Sequence, residues 1–368
     1  MDQGDLDRLL ALLAQWEGSD LLLKAGATPR MRIDGELRQL SNEQPFTPEE
    51  ILLVVEGIMP PRTAEIFEQK HEADFAYSVP GIGRFRTNAF YQRGTVAIVM
   101  RRVRPSPGTA EELRLPRVIY DLADESRGLV MVTGPTGSGK TTTLATMIDH
   151  INRTRPCHIV TIEDPIEYLH RDQIAAIEQR EVGFDTDTFA SAMRVVLRQD
   201  PDVILVGEIR DPETAYAALS AAETGHLVLT TLHTINATET IHRMVDFFPP
   251  YQQAQIRVSL AGALRGTIAQ RLVRRSDGTG RVPALEVMVA NGRIRQCIAD
   301  PDLTSEIEEI VADGEYYGMQ TFDQSLAELL QQGVVTLQEA LSVASNPHDL
   351  RVLLERRGLV ATGASLPE

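Results

Sequence analysis

The chain has 368 residues, of which 43% are hydrophobic, so it can form two globular domains. Its 36 Lys and Arg residues against 52 Asp and Glu residues give a net charge of −16, which argues against nucleic acid as a partner. No apolar run approaches the ~18–20 residues of a transmembrane helix, and the acidic start MDQGDLDRLLALLAQW lacks the basic region of a secretory signal, so we expect a cytoplasmic protein.

Residues 1–104 are predicted to form a small α+β domain. The leucine spacing predicts a helix over about 5–17, and SDLLLKAG is predicted to be a strand. The segment MRIDGELRQL predicts a hairpin, because Asp34-Gly35 suits a type I′ turn. A second helix is predicted to begin at Pro48, and three further strands are ADFAYSV, GRFRTNAFYQR and TVAIVMRRV. Residues 105–117 contain three prolines, which indicates a linker.

Strands and helices alternate along residues 118–289, which predicts an α/β domain with a mostly parallel sheet covered by helices. The predicted strands include LVMVTG, HIVTIED, DVILVGEIRD and HLVLTTLHT. A long helix is predicted over 250–271, followed by a hairpin around SDGTG. Residues 290–360 are predicted to be helical, and the tail 361–368 is predicted to be disordered.

A glycine-rich loop follows the buried strand LVMVTG and fits the pattern G-x-x-x-x-G-K-[ST]. Glycines let several backbone N–H groups point at phosphate oxygens, and the following helix adds its positive end. Lys140 would bridge the β- and γ-phosphates of ATP, and Thr141 would hold Mg²⁺. The predicted ATP-binding residues of this loop are Gly134, Pro135, Thr136, Gly137, Ser138, Gly139, Lys140, Thr141 and Thr142.

Acidic and histidine side chains follow the next strands, at the sheet edge where α/β proteins bind ligands. Glu208, just after a buried strand, is the candidate general base that accepts a proton from the attacking water. Glu163 and Asp164 could contact Mg²⁺ through water, position the water of Glu208, or simply form the turn before Pro165. His233 could sense the γ-phosphate, and His226, at the other end of its strand, is a weaker candidate; the alternative for each is an ordinary polar strand residue.

In combination, these segments resemble the secretion ATPase superfamily and, within it, the PilT-like retraction ATPases of type IV pili. The segments IEDPIE, QDPDVILVGEIRD and TGHLVLTTLHT resemble the Asp box, Walker B motif and His box of that family. The similarity extends from GSDLLLKAGATPRMRIDGEL near the N-terminus to MQTFDQSLAELLQQGVVT and ASNPHDLR near the C-terminus, over about 350 residues.

The resemblance implies a hexameric motor that hydrolyses ATP with Mg²⁺ and powers pilus retraction and twitching motility. It implies a PAS-like N-terminal domain, a RecA-like ATPase domain and ATP bound between them, with Arg84, Arg86 and Arg101 as candidates for contacting the γ-phosphate. Alternation along a strand also places Arg84 and Arg86 on one face. The implied partners are a platform protein at the inner face of the cell membrane and a paralogous motor ATPase.

One segment departs from the family pattern. The retraction motif of the family reads close to AIRNLIRE, whereas this chain has NGRIRQCIADPDL, with Ile294-Arg295 retained. This departure leaves open a motor role other than retraction. The alternative functions are an accessory retraction paralogue, a pilus assembly or type II secretion motor, a RecA-like nucleic-acid motor, and a nucleotide-binding partner that does not hydrolyse ATP. The net charge disfavours the nucleic-acid motor, and the absence of a tetracysteine module disfavours the assembly motor.

Overall fold

The computed structural model describes residues 2–360, so the predicted tail at 361–368 lies outside the described residues. The described residues divide into two compact units: residues 2–105 with Glu167–Leu169, and residues 106–166 with residues 170–360. Each unit has its own sheet, so the chain has a mixed α/β fold with two sheets. Within residues 2–360, no helix is long and apolar enough to cross a membrane.

The first unit consists of an antiparallel sheet with strand order β3-β2-β1-β6-β5-β4 and helices that cover one face. Its strands are β1 (Asp20–Lys24), β2 (Arg30–Ile33), β3 (Glu36–Gln39), β4 (Glu72–Val79), β5 (Gly83–Gln92) and β6 (Thr95–Arg102). Its helices are α1 (Gln3–Gln15), α2 (Pro48–Ile58) and α3 (Pro61–Lys70). The predicted hairpin turn is confirmed, because Asp34 and Gly35 both have positive φ, as a type I′ turn requires.

The second unit is built on a sheet with strand order β13-β12-β7-β11-β10-β8-β9. Its strands are β7 (Gly128–Thr133), β8 (His158–Glu163), β9 (Ala176–Glu181), β10 (Val203–Val206), β11 (Leu227–Leu232), β12 (Leu264–Arg274) and β13 (Arg281–Val289). Neighbouring strands are parallel from β12 to β9, and β13 runs antiparallel to β12. The predicted parallel sheet is therefore confirmed.

Helices cover both faces of this sheet. Along β7, alternate side chains enter two separate apolar clusters, with Leu129 and Met131 in one and Val130 and Val132 in the other. This two-sided burial explains why the strand reads as a continuous apolar run. The helices are α4 (Val118–Ala123), α5 (Lys140–Thr154), α6 (Phe189–Val196), α7 (Pro212–Glu223), α8 (Ala237–Asp246), α9 (Pro250–Ala263), α10 (Gly292–Ala299), α11 (Ile307–Ala312), α12 (Phe322–Gln331), α13 (Leu337–Val343) and α14 (Pro347–Arg356).

The helix predicted over 250–271 is wrong in its second half. Helix α9 ends at Ala263, and β12 begins at the next residue. Leu264, Ile268 and Leu272 recur every four residues, which suits a helix face but also suits alternate positions of a strand. The strand is formed because β12 pairs with β7 on one side and with β13 on the other.

Part of the predicted linker packs into the second unit. Ala110 and Leu115 are buried in the same apolar cluster as Ile119 of α4 and Ile148 of α5. The hydroxyl group of Tyr120 also accepts a hydrogen bond from the backbone N–H of Ala110. This segment therefore contributes to the core beneath α5, the helix that follows the glycine-rich loop.

Candidate active site

The glycine-rich loop connects the buried strand β7 to helix α5, which confirms the strand and helix predicted around it. Gly134, Gly137 and Gly139 have φ angles of 138°, 79° and 94°. Residues with a side chain rarely adopt this region, so the loop depends on its glycines. Pro135, Thr136 and Gly137 form the exposed tip, whereas Ser138 is buried. The loop is thus a backbone cradle of the kind that binds phosphate.

Lys140 is the first residue of α5, and its side chain is folded back over the loop. Its Nζ donates hydrogen bonds to the carbonyl oxygens of Gly134 at 2.8 Å and Pro135 at 3.1 Å. The residue is only 9% exposed, so its charge is concentrated at the loop. Thr141 and Thr142 lie in the same first turn of α5 and are partly exposed. A cation and a helix N-terminus therefore meet at one place, which favours an anionic ligand.

The carboxylate of Glu208 forms the centre of a polar cluster beyond the ends of β10 and β11. His233 Nε2 lies 3.3 Å from Glu208 Oε2, and Arg210 forms an ion pair with the other carboxylate oxygen. The side chain of Glu208 is 14% exposed, while that of His233 is 56% exposed. The hydrogen bond with Glu208 raises the pKa of Arg210 above its ordinary value. These contacts fix the direction of the Glu208 carboxylate.

Glu163 and Asp164 are adjacent in sequence but have different surroundings. Glu163 is buried, and its Oε1 accepts hydrogen bonds from Thr161 Oγ1 at 2.6 Å and Gln179 Nε2 at 3.0 Å. The more exposed Asp164 carboxylate lies 3.6 Å from Arg210. Of the two, Asp164 joins the Glu208 cluster directly, because Arg210 contacts both carboxylates.

His226 lies at the opposite edge of the sheet from His233. It precedes β11, its carbonyl oxygen accepts a hydrogen bond from Gly128 at the start of β7, and its Nδ1 lies 3.0 Å from the carbonyl oxygen of Ala221. The six residues of β11, Leu227–Leu232, separate the two histidines, whose Cα atoms therefore lie about 23 Å apart. The structure thus brings His233 to Glu208 but not His226, so His226 is left out of the candidate active site.

The three arginines predicted to contact phosphate belong to the first unit. Arg84 and Arg86 lie two residues apart on β5, and Arg86 is the register partner of Arg101 on β6. Arg101 Nε donates a hydrogen bond to Asp20 Oδ1 at 2.8 Å. Arg86 and Arg101 therefore lie side by side on the sheet, and the role of the three arginines in ATP binding stays a prediction.

Sequence reasoning did not select Arg210, which contacts both Glu208 and Asp164. It also missed β9, the strand that supplies Gln179 to Glu163. The signal for Arg210 was present in the segment GEIRD, where a basic residue follows the candidate base by two positions. The signal for Gln179 was weak, because β9 is a short edge strand with polar residues in its sequence AIEQRE.

Comparison with known proteins gives consistent results. The family model described as Type II/IV secretion system protein matches residues 30–342. The chain is 43% identical to the type IV pilus retraction ATPase PilT of Pseudomonas aeruginosa, over 94% of this chain and 99% of that protein. It is 41% identical to the type IV pilus ATPase PilU of the same organism, over 95% and 91% of the two chains.

A solved structure shares the fold over nearly the whole chain. The crystal structure of the pilus retraction motor PilT with bound ADP has a TM-score of 0.84 and 42% sequence identity, and the match covers 96% of this chain and 99% of that one. From the family model, these relatives and this structure, the chain belongs to the Type II/IV secretion system protein family and, within it, to the PilT-like ATPases.

Proposed function

We propose that this chain is the ATP-hydrolysing motor of type IV pilus retraction, which removes pilin subunits and powers twitching motility. The observation that carries the proposal is the Glu208–His233–Arg210 cluster, which lies on the same parallel sheet as the glycine-rich loop and Lys140. A fixed carboxylate near a phosphate cradle can accept a proton from an attacking water. Similarity to PilT then connects the hydrolysis to pilus retraction.

Each residue of the site has a proposed task. Backbone N–H groups of the loop and the Lys140 ammonium bind the polyphosphate, with Lys140 exchanging the carbonyl oxygens of Gly134 and Pro135 for phosphate oxygens. Glu208 accepts the proton of the water, and His233 holds the carboxylate in position. Arg210 is available to shift from Glu208 towards Asp164 when Glu208 engages the water.

Mg²⁺ fits the oxygen donors of this site only together with the nucleotide. Among the described residues, no group of three His, Cys, Asp or Glu side chains could hold a metal ion by itself. Mg²⁺ commonly uses one or two protein oxygens along with substrate phosphates and water, and Thr141, a partly exposed residue, has a hydroxyl group that could be such a donor. Asp164 is proposed to contribute through water. When bound, the ion would neutralise charge on the phosphates.

We further propose that the first unit is PAS-like, that the second is RecA-like and that the working form is a homohexamer. Arg84, Arg86 and Arg101 are retained as proposed ATP-contacting residues. The proposed partner is the pilus platform protein, reached at the cytoplasmic face of the inner membrane, where ATP is available. A paralogous pilus ATPase is a second candidate function, because the identity to PilU is close to the identity to PilT.

Phosphate release by the purified protein tests the enzymatic part of the proposal. We expect Mg²⁺-dependent ATP hydrolysis that is lost in Lys140→Ala and is not stimulated by DNA. Robust turnover in Lys140→Ala would mean that the loop is not the catalytic phosphate site. Stimulation by DNA would favour the nucleic-acid motor instead.

A further inference from the structure

Gln270 lies on β12 at the point where the glycine-rich loop leaves the neighbouring strand. The parallel register pairs Ala269 with Thr133, the last residue of β7, so Gln270 is level with the start of the loop. Its side chain is polar and yet only 3% exposed. A buried amide requires hydrogen-bond partners, and its surroundings therefore indicate its role.

The contacts of Gln270 are with the loop and with the helix that follows it. Thr143 Oγ1, in the second turn of α5, donates a buried hydrogen bond of 2.8 Å to Gln270 Oε1. A Cβ atom added to Gly139 would lie 2.7 Å from Gln270 Nε2, and one added to Gly134 would overlap the carbonyl oxygen of Gln270. Gln270 thus packs directly against both ends of the loop.

Strand β12, which includes Gln270, also contacts the C-terminal helices. Arg271, the next residue of β12, donates a hydrogen bond of 2.7 Å from Nη1 to the carbonyl oxygen of Val343 in α13. Its guanidinium carbon also lies 4.1 Å from the ring centroid of Phe322 in α12. In addition, β12 pairs with strands on both sides. The backbone of β12 at Gln270 is therefore held by strand pairing and by the contacts of its neighbour Arg271 with the C-terminal helices.

We infer that Gln270 is a positioning residue that holds the glycine-rich loop in its phosphate-binding conformation through Thr143 and Gly139. This inference rests on the proposed ATP site. The loop owes its affinity to backbone N–H groups that must converge on one anion, so a support that restricts its conformations strengthens binding. Because Gln270 acts through the loop and not through the γ-phosphate, it should affect ADP and ATP equally.

Nucleotide binding by three single variants and one double variant tests the inference. Gln270→Met keeps the length of the side chain but removes the amide, and Thr143→Val removes the hydroxyl at nearly constant volume. Each is expected to weaken both ATP and ADP binding by about three- to tenfold, the effect of one lost hydrogen bond. Thr143→Ser retains the hydroxyl and should bind nucleotide like the wild type. The double variant Gln270→Met/Thr143→Val should bind about as tightly as either single variant, because the two residues act as one unit.

The matched control is Thr267→Val. Thr267 is buried on the same strand, and its hydroxyl has no hydrogen-bond partner within residues 2–360. This variant should bind both nucleotides like the wild type. All dissociation constants are to be measured by isothermal titration well below the unfolding temperature of each variant. Under these conditions, a general loss of stability does not change the measured affinity.

The outcomes separate this inference from the proposed function. If the wild type binds ATP and ADP but Gln270→Met binds them equally well, Gln270 does not position the loop although the ATP site stands. Weaker binding of ATP with unchanged binding of ADP would also overturn the inference. So would a loss of affinity in the double variant equal to the product of the two single losses. If the wild type itself binds neither nucleotide, the proposed function fails first.

Discussion

At the scale of single residues, Glu208 combines low exposure with two charged or polar neighbours. Its carboxylate contacts His233 on one oxygen and Arg210 on the other, so its orientation is fixed before any substrate arrives. A base held in this way loses little freedom when it engages water.

The first prediction concerns Glu208→Gln. The amide keeps the shape of the side chain but cannot accept the proton, so we expect ATP turnover to fall by about 100-fold or more. ATP affinity should remain close to that of the wild type, because the loop and Lys140 are unchanged. Turnover is measured by phosphate release, and affinity by titration. Retained turnover would show that another group is the base.

The second prediction compares the two histidines that bracket β11. His233→Ala should lower turnover by about tenfold, because Glu208 loses a hydrogen-bond partner. His226→Ala should leave turnover within about twofold of the wild type, since it lies at the other edge of the sheet. The measurement is the turnover number at saturating ATP for both variants. Equal losses in the two would contradict the assignment.

The candidate residues could be predicted from sequence where a strand ends. Glu208, Glu163 and His233 each follow a run of buried strand residues, and parallel strands bring such ends to one edge. The sequence pattern does not predict which partner each side chain contacts. Arg210 is exposed and charged, and its ion pair with Glu208 is seen only in the folded structure.

At the scale of elements, β12 shows where sequence reasoning fails. The segment follows α9 without a proline or a run of turn residues, and its apolar residues recur every four positions. Its strand state is decided by pairing with β7 and β13, which is a tertiary effect. A helix over this segment does not place Gln270 beside the loop, so the sequence pattern does not identify Gln270 as a neighbour of the loop.

The third prediction concerns the contact between β13 and α8. Glu286 Oε1 accepts a hydrogen bond of 2.7 Å from the backbone N–H of Ala237, at the start of α8. Burial raises the pKa of Glu286 to about 7. The hydrogen bond from Ala237 acts in the opposite direction and lowers this pKa, whereas the nearby charge of Glu308 raises it further. The folded chain therefore retains a proton that the unfolded chain releases, and Glu286 lowers the free energy of unfolding as pH rises from about 4.5 to about 7.

Glu286→Gln removes this ionisation but keeps an oxygen that can accept from Ala237. Thermal unfolding at pH 5.5 and pH 8 is the measurement. The Tm of the variant relative to the wild type should be higher at pH 8 than at pH 5.5, because only the wild type must then bury a charge. The same Tm difference at both pH values would show that burial of Glu286 does not destabilise the folded chain at pH 8.

At the scale of the whole molecule, two sheets with different topologies follow from two different sequence patterns. In the first unit, apolar and polar residues alternate along the strands and a tight hairpin joins two of them. This pattern is typical of an antiparallel sheet with one covered face. The second has continuous apolar strands separated by helices, typical of a parallel sheet covered on both faces. These patterns were sufficient to predict a mixed α/β fold with one antiparallel and one mostly parallel sheet. The assignment of Glu167–Leu169 to the first unit could not be predicted from the sequence. It depends on a single backbone bridge between Arg104 and Tyr168, which are far apart in the chain.

The claim that this ATPase powers pilus retraction is tested most directly by counting surface pili on cells that lack the chain. The strain is complemented in parallel with the wild-type gene or with Glu208→Gln. We predict excess pili and lost twitching motility in the deletion strain, restored by the wild type and not by Glu208→Gln. Bald cells would contradict the account and indicate an assembly motor, and an unchanged pilus number would show that this chain does not drive retraction by itself.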